Sequence, residues 1–253
     1  MRRRTQADLV EQTLKALGGY ATLNDLYQRI DASDWGTRTP RATIRRILQK
    51  DPQKRFFRIR PGLWGLSQQR DKILRKLRID DEASPDEQQR FDHTYYQAIL
   101  LEIGNTLDYR TTVAYQDKSR VFAGRRLGEI SSLSDFPKFT YEVLVRKARS
   151  VDVIWFKEYG DGCLFPALFF EIEHTTDFNR SLIKLGDFGF LAAKFCIVAA
   201  KRREEEFRRT LRQEVFRPLR ERVEFLAYED LEDDYEKMQS SRHLRLARIV
   251  GAQ

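Results

Sequence analysis

The sequence predicts an α/β protein in two parts, a small domain of helices closed by a hairpin and then a mixed β-sheet core flanked by helices. Three observations carry this. Helical periodicity gives way to strand alternation in that order near the front of the chain. Behind it, a long helix is followed by a β-meander and then by βαβ units. The charge divides as well: of 46 Lys+Arg and 38 Asp+Glu in 253 residues, residues 1–80 hold 19 against 8, and residues 81–253 hold 27 against 30. The excess positive charge lies in the first third, which points that part towards an anionic partner, nucleic acid first.

From Thr5, "TQADLVEQTLKALGG" sets Leu9, Thr13, Leu14 and Leu17 on one helical face and stops at Gly18–Gly19, residues suited to a C-cap. "YATLNDLYQRI" offers Thr22 as N-cap of a short helix with Leu26, Tyr27 and Ile30 inward. "TRTPRATIRRILQKD" places Thr39 at the cap and Pro40 at the first helical position, where its missing N–H is no loss. The apolar stripe there is Ile44, Ile47 and Leu48, and the opposite face carries Arg41, Arg45, Arg46 and Lys50. "RFFRIRPGLWGLS" reads as strand, Pro61–Gly62 turn and strand, with Phe57, Ile59, Leu63 and Leu66 available for packing. The charged run that follows, broken at Ser84–Pro85, makes residues 68–86 the expected linker between domains at 1–67 and 87–253.

The second part alternates. A helix is expected from Pro85 to Asn105, a strand in "YRTTVAYQD", a loop-rich stretch, a short helix in "YEVLVRKAR" and a strand in "VDVIWF". Tyr159–Gly162 supplies a hairpin turn into the long strand "CLFPALFFEIEHT". Helix "FNRSLIKLGDFGFLAAK", strand "FCIVAA", helix "REEEFRRTLRQEVF", strand "VEFLAY" and a charged helix complete the chain. Trp155, Phe156, Phe165, Phe169 and Phe170 read as core. Strand alternation puts Glu171 and Glu173 on one face and Phe170, Ile172 and His174 on the other. His174 therefore reads as a hydrogen-bonded core histidine, and Thr175 and Thr176 as caps of the next helix. Counted outward from the turn, Asp152 falls opposite Glu171. Three converging carboxylates repel one another unless a divalent cation neutralises them, and oxygen-only ligation suits Mg²⁺.

Residues 5–67, three short helices and a hairpin ending in "FFRIRPGLWGL", resemble the HARE-type winged helix-turn-helix domains. That resemblance implies double-stranded DNA as partner, with Arg41, Arg45, Arg46 and Lys50 on the docking helix and Arg58 and Arg60 on the wing. Asp152 followed by Glu171–Ile172–Glu173 resembles the active-site motif of the PD-(D/E)XK nucleases. The blocks "VDVIWF", "FEIEHTT", "LIKLGD" and "HTYYQAILLEIGNTLDY" are similar to restriction-endonuclease-like proteins over about residues 88–228. The resemblance implies Asp152 and Glu171 as metal ligands. Glu173 departs from the lysine usual at its position, where an acid adds a ligand or orients the water. Lys184 or Arg180, on one stripe of the following helix, would supply the missing positive charge. Glu102 is an accessory ligand on this reading, and an exposed helix glutamate on the alternative; Glu142 is a weaker case of the same kind. The expected function is a Mg²⁺- or Mn²⁺-dependent endonuclease in restriction or phage defence. The alternatives are a DNA-binding regulator with an inactive nuclease-like domain, and a nuclease directed at RNA. A homodimer is expected, because cutting both strands needs two sites, and partner proteins of a defence system are a further expectation.

Other classes are disfavoured. No run of about 18 apolar residues is present, so no membrane span is expected. The start "MRRRTQADLVEQ" has no apolar stretch behind its arginines, so a secretory signal is not expected and the cytoplasm is. Cys163 and Cys196 lack C-x-x-C spacing and read as buried free thiols, not zinc ligands. His93 and His243 show no partners in the sequence and receive no role.

Overall fold

The computed structural model describes residues 5–238 and Leu246; His243 lies outside the described residues. Its contacts divide the chain into two compact units, one running to Phe91 and taking in the segment from Tyr235, the other from Asp92 to Asp234 with Leu246.

The first unit comprises α1 (Gln6–Ala16), β1 (Tyr20–Thr22), α2 (Leu23–Arg29), α3 (Pro40–Lys50), β2 (Phe56–Arg60), β3 (Leu63–Leu66) and α4 (Arg70–Leu77). Thr5 and Thr22 cap α1 and α2 in reciprocal boxes with Asp8 and Asp25, so donors that the helix leaves unpaired are satisfied locally. Thr39 occupies the N-cap of α3 without a side-chain cap bond, and Pro40 opens the helix as expected. After α1 the chain turns through Gly18 at φ 85°, and the Gly19 N–H reaches the Leu14 carbonyl at 2.8 Å, a left-handed exit that favours glycine. The strands pair antiparallel in the order β1-β3-β2. Val10, Leu14, Leu26, Ile44, Leu48, Phe56, Trp64 and Leu66 fill the core. Residues 68–86 are not simply a linker: α4 lies inside them and buries Ile73, with Leu74 and Leu77 half-buried beside it.

The second unit begins within α5 (Pro85–Thr106) and continues through β4 (Arg110–Val113), the short pair β5 (Val121–Phe122) and β6 (Arg125–Arg126), α6 (Leu127–Ile130) and α7 (Glu142–Ala148). Then come β7 (Val153–Tyr159), β8 (Cys163–Glu173), α8 (Phe178–Gly186), β9 (Lys194–Ala199), α9 (Glu204–Leu211), β10 (Val223–Ala227) and α10 (Tyr228–Lys237). The sheet order is β10-β9-β8-β7-β4, parallel from β8 to β10 and antiparallel across β8-β7-β4. This is the mixed α/β core that the sequence predicts. The β7–β8 turn uses Asp161 and Gly162 at φ 64° and 71°.

Alternation on β8 assigns its two faces. Phe169 joins a core with Phe178, Leu182 and Leu185 on the α8 side. Phe170 packs instead on Trp155, with ring centroids 4.8 Å apart, and the Trp155 indole donates to the Leu100 carbonyl of α5 at 3.1 Å. Gly104 permits this approach: a Cβ there would lie 2.6 Å from Trp155 Nε1 and 2.7 Å from Thr111 Cγ2. Phe165 departs from expectation. It is exposed with Cys163 near the hairpin tip, beside the Tyr159 ring, whereas Cys196 in β9 is buried. No described helix is long and apolar enough to cross a membrane.

Candidate active site

Two neighbouring strand ends bring the acids together. Val153 pairs with Phe170, so Asp152 and Glu171 each stand one residue beyond that pair. Asp152 Oδ2 accepts the Ile172 backbone N–H at 2.7 Å, a charge-assisted bond that ties the start of β7 to β8. Glu171 is buried on the α8 face, and Lys184 Nζ from α8 lies 2.6 Å from its Oε2. The same ammonium donates to the Ser150 carbonyl at 3.3 Å. Glu171 Oε1 is buried without a partner. Burial above all, and then the charge of Asp152, pushes the Glu171 carboxyl well above the usual carboxylate range, with Lys184 opposing both.

Glu173 points to the same face but is otherwise engaged. Its carboxylate accepts from the hydroxyls of Ser181 and Thr176. Thr176 is therefore not the cap of α8: Asp177 holds that place and accepts from the Asn179 N–H. Arg180, one turn before Lys184, is exposed. Glu102 lies nine residues along α5 from His93, about 13 Å at a helical rise of 1.5 Å per residue. It is buried and forms an ion pair with Arg125 at 2.5 Å, so the exposed-glutamate alternative does not describe it. Glu142 is exposed, with Arg149 at 3.8 Å.

On the opposite face of the sheet stands a group of which the sequence singled out only Asp152. His93 Nε2 of α5 lies 3.3 Å from Asp152 Oδ1 and 3.9 Å from Asp117 Oδ2. Gln97, one turn along α5, donates to Asp117 Oδ2 at 2.8 Å and to the Asp152 carbonyl at 3.5 Å. Each of His93, Asp117 and Asp152 offers one ligand atom within 4.8 Å of the others. His174 is nearby, its ring centroid 5.7 Å from that of His93, with Tyr228 Oη 2.9 Å from its Nδ1. Burial first, and then the neighbouring His93, lowers the His174 imidazole to about 4. The helical spacing of His93 and Gln97 was a readable signal; their meeting with Asp117, from the turn after β4, was not.

In the first unit, Arg45 and Arg58, two of the arginines singled out on α3 and the hairpin, meet Glu236 of its C-terminal segment. Arg45 Nη1 donates to the Glu236 carbonyl at 3.2 Å, and Arg58 Nη2 lies 2.9 Å from Glu236 Oε1. The Gly62 N–H also donates to that carboxylate oxygen at 3.2 Å. Arg41, Arg46 and Lys50 are exposed, while Arg60 is half-buried.

Fold and site together define a mixed-sheet α/β protein with a buried carboxylate–lysine pair at the end of its central strands. The chain belongs to the family of the type II restriction enzyme NmeDI C-terminal domain, whose profile matches residues 75–249. No curated protein and no solved structure gives a match.

Proposed function

We propose that the chain is a metal-dependent endonuclease of the PD-(D/E)XK kind acting on double-stranded DNA, as its restriction-enzyme family suggests. The observation that carries the proposal is the juxtaposition of Asp152, Glu171 and Lys184, with one buried Glu171 oxygen left unpartnered. A buried acceptor without a donor fits a cation, and Asp152 and Glu171 are the residues that would hold it. A bound Mg²⁺ or Mn²⁺ would lower the pKa of a water and offset charge on the scissile phosphate. Lys184 takes the part of the motif lysine from the helix instead of the strand: its ammonium fixes the Glu171 rotamer and adds positive charge beside the carboxylates. Glu173 acts as a positioning residue, joining β8 to α8 through Ser181 and to the following turn through Thr176.

The first unit, with its antiparallel β1-β3-β2 sheet behind three helices, supports the winged-helix reading and hence delivery to DNA through α3 and the β2–β3 hairpin. A homodimer and a defence role in the cytoplasm complete the proposal. The engagement of Glu173 at the usual lysine position favours one second reading, a DNA-binding regulator without cleavage. The test is incubation of supercoiled plasmid with wild type, Asp152→Ala and Lys184→Ala in Mg²⁺, Mn²⁺ or EDTA. Metal-dependent nicking or linearisation by wild type alone is expected. Plasmid intact in every metal, yet shifted on a gel equally by all three proteins, would overturn the nuclease in favour of the regulator.

A further inference from the structure

We propose that His93, Asp117 and Asp152 form a second divalent-cation site, on the α5 face of the sheet, that takes a nitrogen-accepting metal of the Mn²⁺, Co²⁺ or Zn²⁺ class. It is distinct from the Asp152–Glu171 pair, with which it shares only Asp152. Ligand atoms on one such cation, with bonds of about 2.1 Å, stand roughly 3.0–3.4 Å apart at 90–109°. His93 Nε2 lies 3.3 Å from Asp152 Oδ1 and 3.9 Å from Asp117 Oδ2, and all three ligand atoms lie within 4.8 Å of one another, so a closure of at most about 1.4 Å brings all three on.

The surroundings supply acceptors without donors. Gln97 is fully buried and already gives its amide hydrogens to Asp117 Oδ2 and the Asp152 carbonyl, leaving Oε1 without a partner. Asp117 Oδ1 has Arg120 Nε 2.8 Å away, but as an ion pair and not an aligned hydrogen bond. His174 adds a third acceptor. The Tyr228 hydroxyl has one proton, and it donates that proton to the Glu173 carbonyl at 3.0 Å. Its oxygen therefore accepts from His174 Nδ1 at 2.9 Å, which leaves the lone pair on Nε2, buried and unpartnered. A histidine fixed through one nitrogen, with the other bare, is the usual arrangement of a metal ligand. The His93 and His174 ring centroids lie 5.7 Å apart, so this bare nitrogen adds to the polar lining near the site. His174 therefore stands beside the group and outside the three residues whose ligand atoms lie within 4.8 Å of one another. The His93 imidazole selects against Mg²⁺, which prefers oxygen throughout, and for the later first-row ions.

The test titrates EDTA-stripped full-length protein with Co²⁺, read as the visible d–d band, and with Zn²⁺ and Mg²⁺ by calorimetry. Wild type and Glu171→Gln are expected to bind one Co²⁺ with a nitrogen-ligated band and to bind Zn²⁺ far more tightly than Mg²⁺ at this site. His93→Gln and Asp117→Asn, with circular dichroism unchanged, should lose the band or weaken Zn²⁺ at least about tenfold. A band unaltered in both His93→Gln and Asp117→Asn, or no Co²⁺ binding by wild type, would overturn the site. Failure of plasmid cleavage with the cobalt band intact would instead count against the nuclease alone.

Discussion

His174→Gln removes a titrating ring from a buried place while keeping a polar group beside Tyr228. The ring titrates near 6.5 when solvated and at about 4 in the folded protein, chiefly because burial disfavours its charged form, helped by His93 and Arg203 and opposed by Asp152. A base with a depressed folded pKa favours folding above its unfolded pKa, and that stability is lost as pH falls through the window from 6.5 to about 4. At about 1.4 kcal/mol per pH unit, the neutral ring is worth about 3 kcal/mol, most of it gone by about pH 4.5. Urea unfolding in EDTA from pH 8 down to pH 4.5 would measure this. The stability lost over that range should be smaller by roughly 2–3 kcal/mol in the variant, since other acids titrate alike in both proteins. Parallel stability curves for the two proteins would refute the reasoning, because His174 would then not be held neutral by its surroundings.

Gly104→Ala should destabilise the protein by about 1–3 kcal/mol in urea unfolding and disturb Trp155 fluorescence, because the added methyl would meet the indole at 2.6 Å. With metal removed, Lys184→Met should lower the melting temperature at pH 8 more than at pH 4, since it strips the buried Glu171 of its partner, a loss on the order of 3–5 kcal/mol while the carboxylate stays charged. Glu171→Gln should have the opposite sign. Its raised carboxyl favours folding fully below the unfolded pKa and loses that contribution as pH rises, so the neutral amide stabilises at pH 8 and gains little at pH 4. A thiol reagent should label Cys163 at once in the native state and Cys196 only on unfolding, because burial raises the Cys196 thiol and shields it.

Local chemistry was the legible part of this chain. Thr5 and Thr22 lie at helix starts that their own hydroxyls stabilise, Pro40 has its φ preset, and the two-residue period of β8 assigns Glu171 and Glu173 to one face without any tertiary knowledge. The Asp152–Glu171 register was also readable, because one hairpin turn sets it. Long-range meetings were not. Asp117 sits in a short turn after an edge strand and reaches His93 across 24 positions and Asp152 across 35, and no periodicity encodes those encounters. α4 was hidden because its short stripe of Ile73, Leu74 and Leu77 sits among arginines, lysines and acids in a segment whose overall charge reads as linker. Phe165 misled for a different reason: hydrophobicity marks a residue as able to pack, and the hairpin carries it to a place where little lies against it.

Glu236 bears on how the first unit would respond to salt. Its carboxylate and carbonyl already engage Arg58 and Arg45, two of the residues proposed to meet DNA. For Arg58, duplex binding becomes an exchange of one anion for another, and for Arg45 the exchange of a carbonyl for a phosphate. The internal competitor travels with the protein and cannot be diluted away. Counterion release contributes a slope of about 0.9 per phosphate neutralised, and an arginine that merely trades a carboxylate for a phosphate adds less than that. The interface would therefore bind more weakly than its count of arginines suggests, and its affinity would fall less steeply as ionic strength rises.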